Sequence, residues 1–385
     1  MSGTATIEAW LAEQEGAMIG LIENLVSIDS GTGNWAGVTA VGEAIADFLE
    51  GEGIEVERLP QKGSGAIVRA RVAGPGNAPI LLMGHCDTVF PDGEAARRPF
   101  TIRDGRAYGP GVADMKAGLV MNAFVLAAYH RFGGNAAPLI GLFTADEEIG
   151  SPVSRATIEA TARPARAVYN AEPGRPNGNV CTSRKGGVFM IADITGRAAH
   201  SGGNYADGRS AILALAKKIV DLHAMTDLPS GITVNVGLIS GGQSVNTVAP
   251  DARGEIDLRY VKKADRDRLV AAVEAIVRRV DVPDTQGAFR IRGEFLPLEQ
   301  SPGSRAIYDL YRDAAKESGI TLEGEFSGGC ADSGFTAAIG APTLCSTGPI
   351  GGKAHTPEEY LEVASIVPRA QLVAHSVMRT PPAGR

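Results

Sequence analysis

The sequence predicts an α/β fold in which a mostly parallel sheet is flanked by helices, with a smaller α+β domain inserted into it. Strand-like and helix-like segments alternate up to residue 173, and the alternation resumes after residue 303. Between these parts the order of segments changes to β-α-β-β-α-β. The alternation favours a parallel sheet, and the order in the middle is typical of a ferredoxin-like module. We therefore assign residues 1–184 and 294–385 to the larger domain and residues 185–293 to the insert.

The elements of the larger domain follow from the spacing of apolar residues. Helix-like periodicity predicts helices at 6–28, 38–53, 113–133 and 303–319. Apolar runs bounded by turn residues predict strands at 66–74, 78–89, 137–148 and 165–173. Residues 331–348 continue the same alternation of helix and strand.

The insert has its own set of elements. Its predicted strands are 186–202, 231–242, 251–261 and 287–295. Its predicted helices are 208–225, which is amphipathic, and 264–280. The first strand alternates polar and apolar residues, which indicates that one face of this sheet is exposed.

Bulk composition limits the function classes. A chain of 385 residues exceeds one ordinary domain, and 44% hydrophobic and 21% charged residues are typical of a globular protein. The net charge is −7 without a basic run, so we expect neither nucleic acid nor membrane as a partner. No stretch reads as a signal peptide or as a membrane span. The four cysteines form no CxxC pair, so we expect reduced thiols and a cytoplasmic location.

One buried strand ends on three consecutive acids, Asp146, Glu147 and Glu148, in the segment LIGLFTADEEIG. Acids are common at helix starts, where they interact with the positive end of the helix dipole. The preceding run, however, is apolar throughout, as in a strand buried on both faces of a parallel sheet. Ligands of open α/β sheets bind at the carboxyl ends of such strands.

Other predicted strands also end beside acids or histidines. His85 and Asp87 close one strand and share a face, because residues two apart on an extended chain do so. Glu172 ends another strand, and His355 lies in a glycine-rich loop after a third. Asp114 lies in a glycine-rich turn that opens a helix, where a helix cap would be its ordinary role. Taken together, these residues point to a metal site.

Six segments carry a resemblance to a known family: GHCDTV, YGPGVADMKAGL, TADEEIGS, NAEP, GRAAHSG and HTPEEY. Their order resembles the aminoacylase, acetylornithine deacetylase and glutamate carboxypeptidase group, peptidase family M20. The resemblance spans nearly the whole chain, including the insert, which it identifies as a lid and dimerisation domain. The segments SIDSGTGNWAGV and SGGCADSGF look most like the glutamate carboxypeptidase branch.

The resemblance implies two divalent metal ions per chain, usually zinc, although manganese or cobalt could also occupy such ligands. His85 and Glu172 would hold one ion, Glu148 and His355 the other, and Asp114 would bridge them. The peptide bond after Asp114 would be cis.

The resemblance also implies catalytic roles. Glu147 would be the general base, taking a proton from a hydroxide-forming water between the metals and delivering it to the leaving nitrogen. Asp87 would support His85. The lid would carry His200 into the active site of the other subunit of a homodimer.

The implied substrate is an N-acyl amino acid or a small peptide, cleaved at an amide bond. Family members that cleave glutamate conjugates carry an arginine in a segment resembling RGR-P, where this chain has RGEFLP and Glu294. Arg292, expected on the same strand face as Glu294, is a candidate for binding a substrate carboxylate, as are Arg259 and Asn246. The alternative is an aminoacylase or deacetylase acting on a non-glutamate substrate.

Two rivals belong to other classes. A metal-free binding protein would require losses among the ligands, and every ligand position is retained. An NAD-dependent oxidoreductase would require a phosphate loop, whereas residues 109–114 read GxGxxD rather than GxGxxG.

Overall fold

The computed structural model describes residues 3–381, which form two compact units. The first unit contains the chain up to Arg184 and from Leu298 onward, and the second is Lys185–Pro297. The insert was predicted to end at residue 293, which falls inside the last strand of the second unit, Gln286–Phe295.

The helices and strands are numbered in chain order. The helices are α1 (Gly3–Glu13), α2 (Glu15–Val26), α3 (Trp35–Gly51), α4 (Glu94–Arg97), α5 (Ala117–Phe132), α6 (Arg155–Ala162), α7 (Ala211–Ala224), α8 (Arg266–Arg278), α9 (Pro302–Glu317), α10 (Ser333–Ala338) and α11 (Ile366–Arg379). The strands are β1 (Glu55–Leu59), β2 (Ile67–Val72), β3 (Ile80–His85), β4 (Thr101–Arg103), β5 (Arg106–Tyr108), β6 (Leu139–Thr144), β7 (Ala167–Asn170), β8 (Val180–Arg184), β9 (Gly186–Thr195), β10 (Thr233–Gly241), β11 (Asp251–Tyr260), β12 (Gln286–Phe295), β13 (Gly324–Ser327), β14 (Thr343–Cys345), β15 (Gly351–Gly352) and β16 (Tyr360–Glu362).

The first unit is built on an eight-stranded sheet in the order β1-β2-β6-β3-β7-β14-β8-β13. Strand β3 lies at its centre and pairs in parallel with both β6 and β7, and β7 pairs in parallel with β14. All six residues of β3 are buried, as expected of a strand covered on both faces. The predicted mostly parallel α/β sheet is confirmed.

Helix α5 is the central helix of this unit, and thirteen of its sixteen residues are buried. The helical segment Val112–Phe132 is long and apolar enough to cross a membrane, contrary to the expectation from the sequence. Its most apolar window is 94% buried within the protein, which accounts for the apolar character.

The start of this segment departs from the predicted single helix at 113–133. Residues Val112–Lys116 form a wide turn in which Asp114 and Met115 have non-helical backbone angles. The peptide bond between them is cis, as the resemblance implies. A small separate sheet, β15-β16-β5-β4, was not predicted, because its strands are only two or three residues long.

The second unit has the element order β9-α7-β10-β11-α8-β12 and an antiparallel sheet in the order β10-β11-β9-β12. Both are those of a ferredoxin-like module, so this prediction is confirmed. One face of the sheet forms a core with the helices, in which Met190 and Leu258 pack with Leu269 and Val273 of α8.

Candidate metal centre

The candidate site lies in the first unit, at the edge where three neighbouring strands end. His85 is the last residue of β3, the pair Glu147 and Glu148 follows β6, and Glu172 follows β7. Because β6, β3 and β7 are adjacent and parallel, their carboxyl ends meet at the same edge. The turn before α5 and the loop between β15 and β16 supply Asp114 and His355.

Asp114 presents one carboxylate oxygen to each histidine. Its Oδ1 lies 3.3 Å from Nε2 of His85, and its Oδ2 lies 3.3 Å from Nε2 of His355. Nε2 of His85 is also 3.6 Å from Oε1 of Glu172, and Nε2 of His355 is 3.3 Å from Oε2 of Glu148. The arrangement is that of two ligand sets sharing one carboxylate.

The donor atoms of these residues fit divalent cations. Potential ligand atoms lie within 4.8 Å of one another in the groups His85–Asp114–Glu172 and Asp114–Glu148–His355. Three buried carboxylate oxygens have no hydrogen-bond partner among the described residues: Asp114 Oδ1, Glu148 Oε1 and Glu172 Oε1. Buried oxygens without donors are costly unless a cation binds them. The described residues therefore contain a candidate metal-binding cluster.

The pKa values of the cluster are shifted because ionisable groups are buried close to one another. Burial raises the pKa of Glu147 well above its ordinary value, and the nearby carboxylates of Glu172 and Glu148 raise it further. Burial raises the pKa of Glu148 to about 7. Hydrogen bonds to Asp114 and Glu148 raise the pKa of His355 to about 10. A bound dication would favour the ionised carboxylates and the neutral imidazoles instead.

Asp87 is fully buried and does more than support His85. The main-chain carbonyl of Asp87 lies 2.9 Å from Nδ1 of His85, and its carboxylate lies 3.3 Å from the same atom. The carboxylate also accepts hydrogen bonds of 3.1 Å from the backbone N–H groups of Glu147 and Glu148. Asp87 thus fixes the position of both the His85 ring and the acidic turn.

Asp146, the first acid of the run, does not belong to the cluster. Its carboxylate accepts hydrogen bonds from the backbone N–H groups of Val153 and Ser154.

Glu359 is a buried residue that the sequence reasoning missed. Its carboxylate accepts hydrogen bonds from the backbone N–H groups of Gly111, Ala113 and Asp114, at 3.1, 2.8 and 2.9 Å. Burial raises its pKa to about 7. It belongs to the segment HTPEEY, so the only available signal was a pair of acids beside His355.

Two further buried charges adjoin the cluster and were also missed. The guanidinium of Arg184 lies 3.7 Å from the carboxylate of Glu172 and donates a 3.0 Å hydrogen bond to the hydroxyl of Ser346. Asp332, in the segment SGGCADSGF, accepts hydrogen bonds from the hydroxyls of Ser151 and Thr144. Because Ser151 follows the acidic turn, Asp332 anchors the far end of that turn.

His200 and Asn246 lie together in the second unit. His200 pairs with Thr247 across a β-bridge, and the backbone N–H of Ser201 donates to the carbonyl of Asn246. Nδ1 of His200 accepts 3.1 Å hydrogen bonds from the backbone N–H groups of Gly202 and Gly203. A neutral ring whose Nδ1 accepts must carry its proton on Nε2. His200 is thus an exposed donor.

Arg259 and Arg292 lie elsewhere on the sheet of the second unit. The guanidinium of Arg259 binds Asp257 at 2.8 Å and stacks over the ring of Phe189. The guanidinium of Arg292 reaches Glu255 at 3.1 Å.

The expectation that Arg292 and Glu294 share a strand face is wrong. A register shift between Ile291 and Gly293 inserts an extra residue, and such a bulge reverses the alternation of faces. Glu294 pairs with Val188 on the face covered by helices and binds Arg266 at the start of α8 at 2.5 Å.

Known proteins resemble this chain along most of its length. Residues 81–379 match the sequence profile described as peptidase family M20/M25/M40. Carboxypeptidase G2 of Pseudomonas sp. (strain RS-16) is 28% identical over 372 residues, which cover 95% of this chain and 90% of that protein. Acetylornithine deacetylase of Myxococcus xanthus is 30% identical over 297 residues, which cover 72% of each.

A solved structure shows the same fold. The M20 family metallo-carboxypeptidase of Sulfolobus solfataricus has a TM-score of 0.78 at 17% identity, covering 94% of this chain and 99% of that chain. At this identity the likeness concerns the fold alone.

Proposed function

Because the chain belongs to peptidase family M20/M25/M40, whose members are metal-dependent hydrolases, we propose that it binds two divalent ions at the cluster described above. His85 and Glu172 would hold one ion, Glu148 and His355 would hold the other, and Asp114 would be shared between the two sets. The observation that carries this proposal is the position of Asp114, with one oxygen 3.3 Å from each histidine. Nitrogen and oxygen ligands suit zinc, and manganese or cobalt can replace it.

The proposed reaction is hydrolysis of an amide bond. Bound divalent ions polarise the amide carbonyl and lower the pKa of a water molecule. Glu147 removes the proton of the attacking water and transfers it to the leaving nitrogen. The hydrogen bond from its backbone N–H to Asp87 fixes its position, and its side chain lies 3.9 Å from the ring of His85. Glu147 acts as a base and not as a ligand.

The proposed substrate is an N-acyl amino acid or a small peptide. The similarity to carboxypeptidase G2 and acetylornithine deacetylase supports this class. Each of Arg259, Arg292 and Asn246 is a candidate for binding a substrate carboxylate. The two arginines would exchange their present partners, Asp257 and Glu255, for it. A non-glutamate substrate is the second candidate. What favours it is the segment RGEFLP, in which Glu294 stands where the resemblance implies an arginine and is bound to Arg266.

We further propose that the second unit forms a homodimer and brings His200 to the active site of the partner. Strand β10 is an edge of its sheet, and two apolar residues on that strand, Leu238 and Ile239, are 64% and 68% exposed. On α7, Ile212 and Val220 are 47% and 69% exposed. An apolar edge strand beside an apolar helix face is expected to be covered by a second chain. Light scattering should give a dimer, and Ile239→Lys should give a monomer.

The test of the function combines metal analysis with a substrate screen. The purified protein should contain about two divalent ions per chain and hydrolyse members of a panel of N-acyl amino acids and dipeptides. A chelator should abolish hydrolysis, and added zinc should restore it. An active preparation that contained no transition metal and ignored chelators would overturn the proposal.

A further inference from the structure

A cavity of about 460 Å³ borders the metal centre within the first unit. Its walls are formed by two loops, 31–34 and 88–92, and by Glu148 with the following Ile149. This volume is typical of small-molecule pockets. A group bound in the cavity therefore contacts the same turn that carries the proposed base and metal ligand.

Backbone contacts hold the two loops together, so the cavity is formed before any ligand binds. The backbone N–H of Thr88 donates to the carbonyl of Ser30 at 2.8 Å, and that of Thr32 donates to the carbonyl of Thr88 at 3.2 Å. At Gly31 a side chain is excluded, since a Cβ there would lie 2.3 Å from the carbonyl oxygen of Phe90.

The wall is mainly apolar and contains no lysine or arginine among the described residues. Its apolar side chains are Val89, Phe90, Pro91 and Ile149. Its charged side chains are two acids, Glu148 and Asp92. Asp92 accepts a 2.7 Å hydrogen bond from the side chain of Asn34, which also lines the cavity.

Arg98 contacts Phe90 of the wall but is not part of the cavity lining. The guanidinium of Arg98 stacks on Phe90, 4.6 Å from the ring centre. Arg98 is bound by the carboxylate of Glu94 and donates to the carbonyl of Pro357 at 3.0 Å. Because Glu148 is a metal ligand in the proposed function, the free charge on the wall is the carboxylate of Asp92. Among the described residues of the wall, no lysine or arginine is present to pair with an anion.

The lack of a basic side chain among the described residues of the wall decides which part of the substrate this cavity can bind. The amino-acid part of an N-acyl amino acid carries a carboxylate, which needs a cationic partner. We infer that the cavity binds the acyl group instead, and that it selects uncharged apolar acyl groups up to the size of an aromatic ring over anionic ones. This inference rests on the proposed function and deepens it by naming the acyl class.

The first experiment uses the metal-loaded wild-type enzyme with six compounds. These are the N-acetyl, N-benzoyl and N-succinyl derivatives of L-leucine and of L-glutamate. For each amino acid, kcat/KM for the benzoyl compound should exceed that for the succinyl compound by about tenfold or more, on the scale of apolar pocket discrimination. A preference for the succinyl compound would overturn the inference. If the enzyme hydrolyses other members of the panel but none of these six compounds, the inference fails. If it hydrolyses no member of the panel, the proposed function itself fails.

The second experiment fills the cavity. Val89 is 42% exposed and tolerates a larger side chain, and a side chain at Gly33 meets nothing within 4 Å. In Val89→Trp and in Gly33→Leu, the ratio of kcat/KM for benzoyl to acetyl compounds should fall about tenfold. Ile102→Trp, on an exposed strand lacking contact with this cavity, should leave the ratio unchanged. Hydrolysis with an unaltered ratio in both cavity variants would overturn the inference without affecting the proposed function.

A charge variant tests whether the lack of a basic side chain excludes anionic acyl groups. Val89→Lys adds the missing cation at the wall. The ratio of kcat/KM for succinyl to benzoyl compounds should rise about tenfold, because the lysine pairs with the succinyl carboxylate. An unchanged or lower ratio would show that this cavity does not contact the acyl group.

Discussion

The carboxylate of Glu359 accepts a 2.9 Å hydrogen bond from the backbone N–H of Asp114, a residue 245 positions earlier in the chain. Glu359 lies four residues after His355, on the same loop. One buried side chain therefore connects the loop of one proposed metal ligand to the turn of another. This contact explains how the non-helical turn at Asp114 is held in place.

Replacing this residue should weaken metal binding without removing a ligand. In Glu359→Gln the side chain keeps its size but has one acceptor oxygen for three backbone N–H groups. Loss of such supporting contacts typically lowers metal affinity by about 10–100-fold. Competition with a zinc chelator measures this, and Glu358→Gln, the same change at the exposed neighbouring position, is the control. Equal affinities in the two variants would refute the role given to Glu359.

The adjacent acids Glu147 and Glu148 should respond differently to the same substitution. Glu147→Gln removes the base, so kcat should fall by about 10²–10⁴ while metal content persists. Glu148→Gln removes a ligand, so metal content should fall. Elemental analysis alongside kinetics separates the two effects, and equal metal loss in both variants would show that the roles are misassigned.

The sequence pattern of the strands was sufficient to predict where most of the proposed ligands lie. Each of four residues lies at the end of an apolar run, and the carboxyl ends of parallel strands meet at one edge of the sheet. The sequence therefore places these four at that edge: His85, Glu147, Glu148 and Glu172. Glu359 could not be placed, because the sequence does not show which of two adjacent acids is buried or which backbone groups it contacts.

Two local irregularities of the backbone could not be predicted from the sequence pattern. Helical periodicity continues through Asp114 and Met115, yet their backbone leaves the helix, because contacts from the distant Glu359 override local propensity. The bulge in β12 places Arg292 and Glu294 on opposite faces, since one extra residue reverses a period of two.

Metal binding should release protons in a way that depends on pH. In the metal-free protein the pKa of His355 is raised to about 10, so its ring is protonated at pH 8. The stabilisation from this imidazolium is complete below the ordinary pKa of 6.5 and is lost as the pH rises through 10. A metal requires the neutral ring, so zinc binding at pH 8 should release a proton from this site.

Calorimetry in buffers with different ionisation enthalpies measures the protons released. His355→Ala is the matched variant, and it should release about one proton fewer per chain. An identical release from wild type and variant would contradict the proposed role of His355 as a ligand.

The pair Glu294–Arg266 should stabilise the second unit rather than define glutamate specificity. Their side chains are 17% and 25% exposed and lie 2.5 Å apart. In Glu294→Arg two cations would face each other, so the free energy of unfolding should fall by about 1 kcal/mol or more. Denaturant unfolding measures this, and Glu274→Arg, in the exposed pair with Arg278, is the control. A stable Glu294→Arg variant with improved hydrolysis of N-acyl glutamates would instead restore a substrate-binding role at this position.

The last prediction concerns the role of His200 as a hydrogen-bond donor in the reaction. Its Nδ1 is occupied by two backbone N–H groups, which leaves Nε2–H to donate to an oxyanion. His200→Ala should therefore lower kcat by about 10²–10³ without removing metal, as the loss of an oxyanion donor does. His223→Ala, a histidine on α7 of the same unit, is the control and should leave kcat unchanged.

Mixing two inactive variants shows whether His200 acts in the active site of its own chain or in that of the partner. A heterodimer of His200→Ala and Glu147→Gln has one site with both residues intact only if His200 acts across the interface. Random reassociation of equal amounts should then restore about a quarter of wild-type activity, because half of the dimers are mixed and each has one of two sites intact. If His200 acts within its own chain, both sites of the mixed dimer lack one residue and mixing restores nothing. Ile239→Lys combined with either variant should abolish the restoration, because without the dimer neither chain can supply the missing residue.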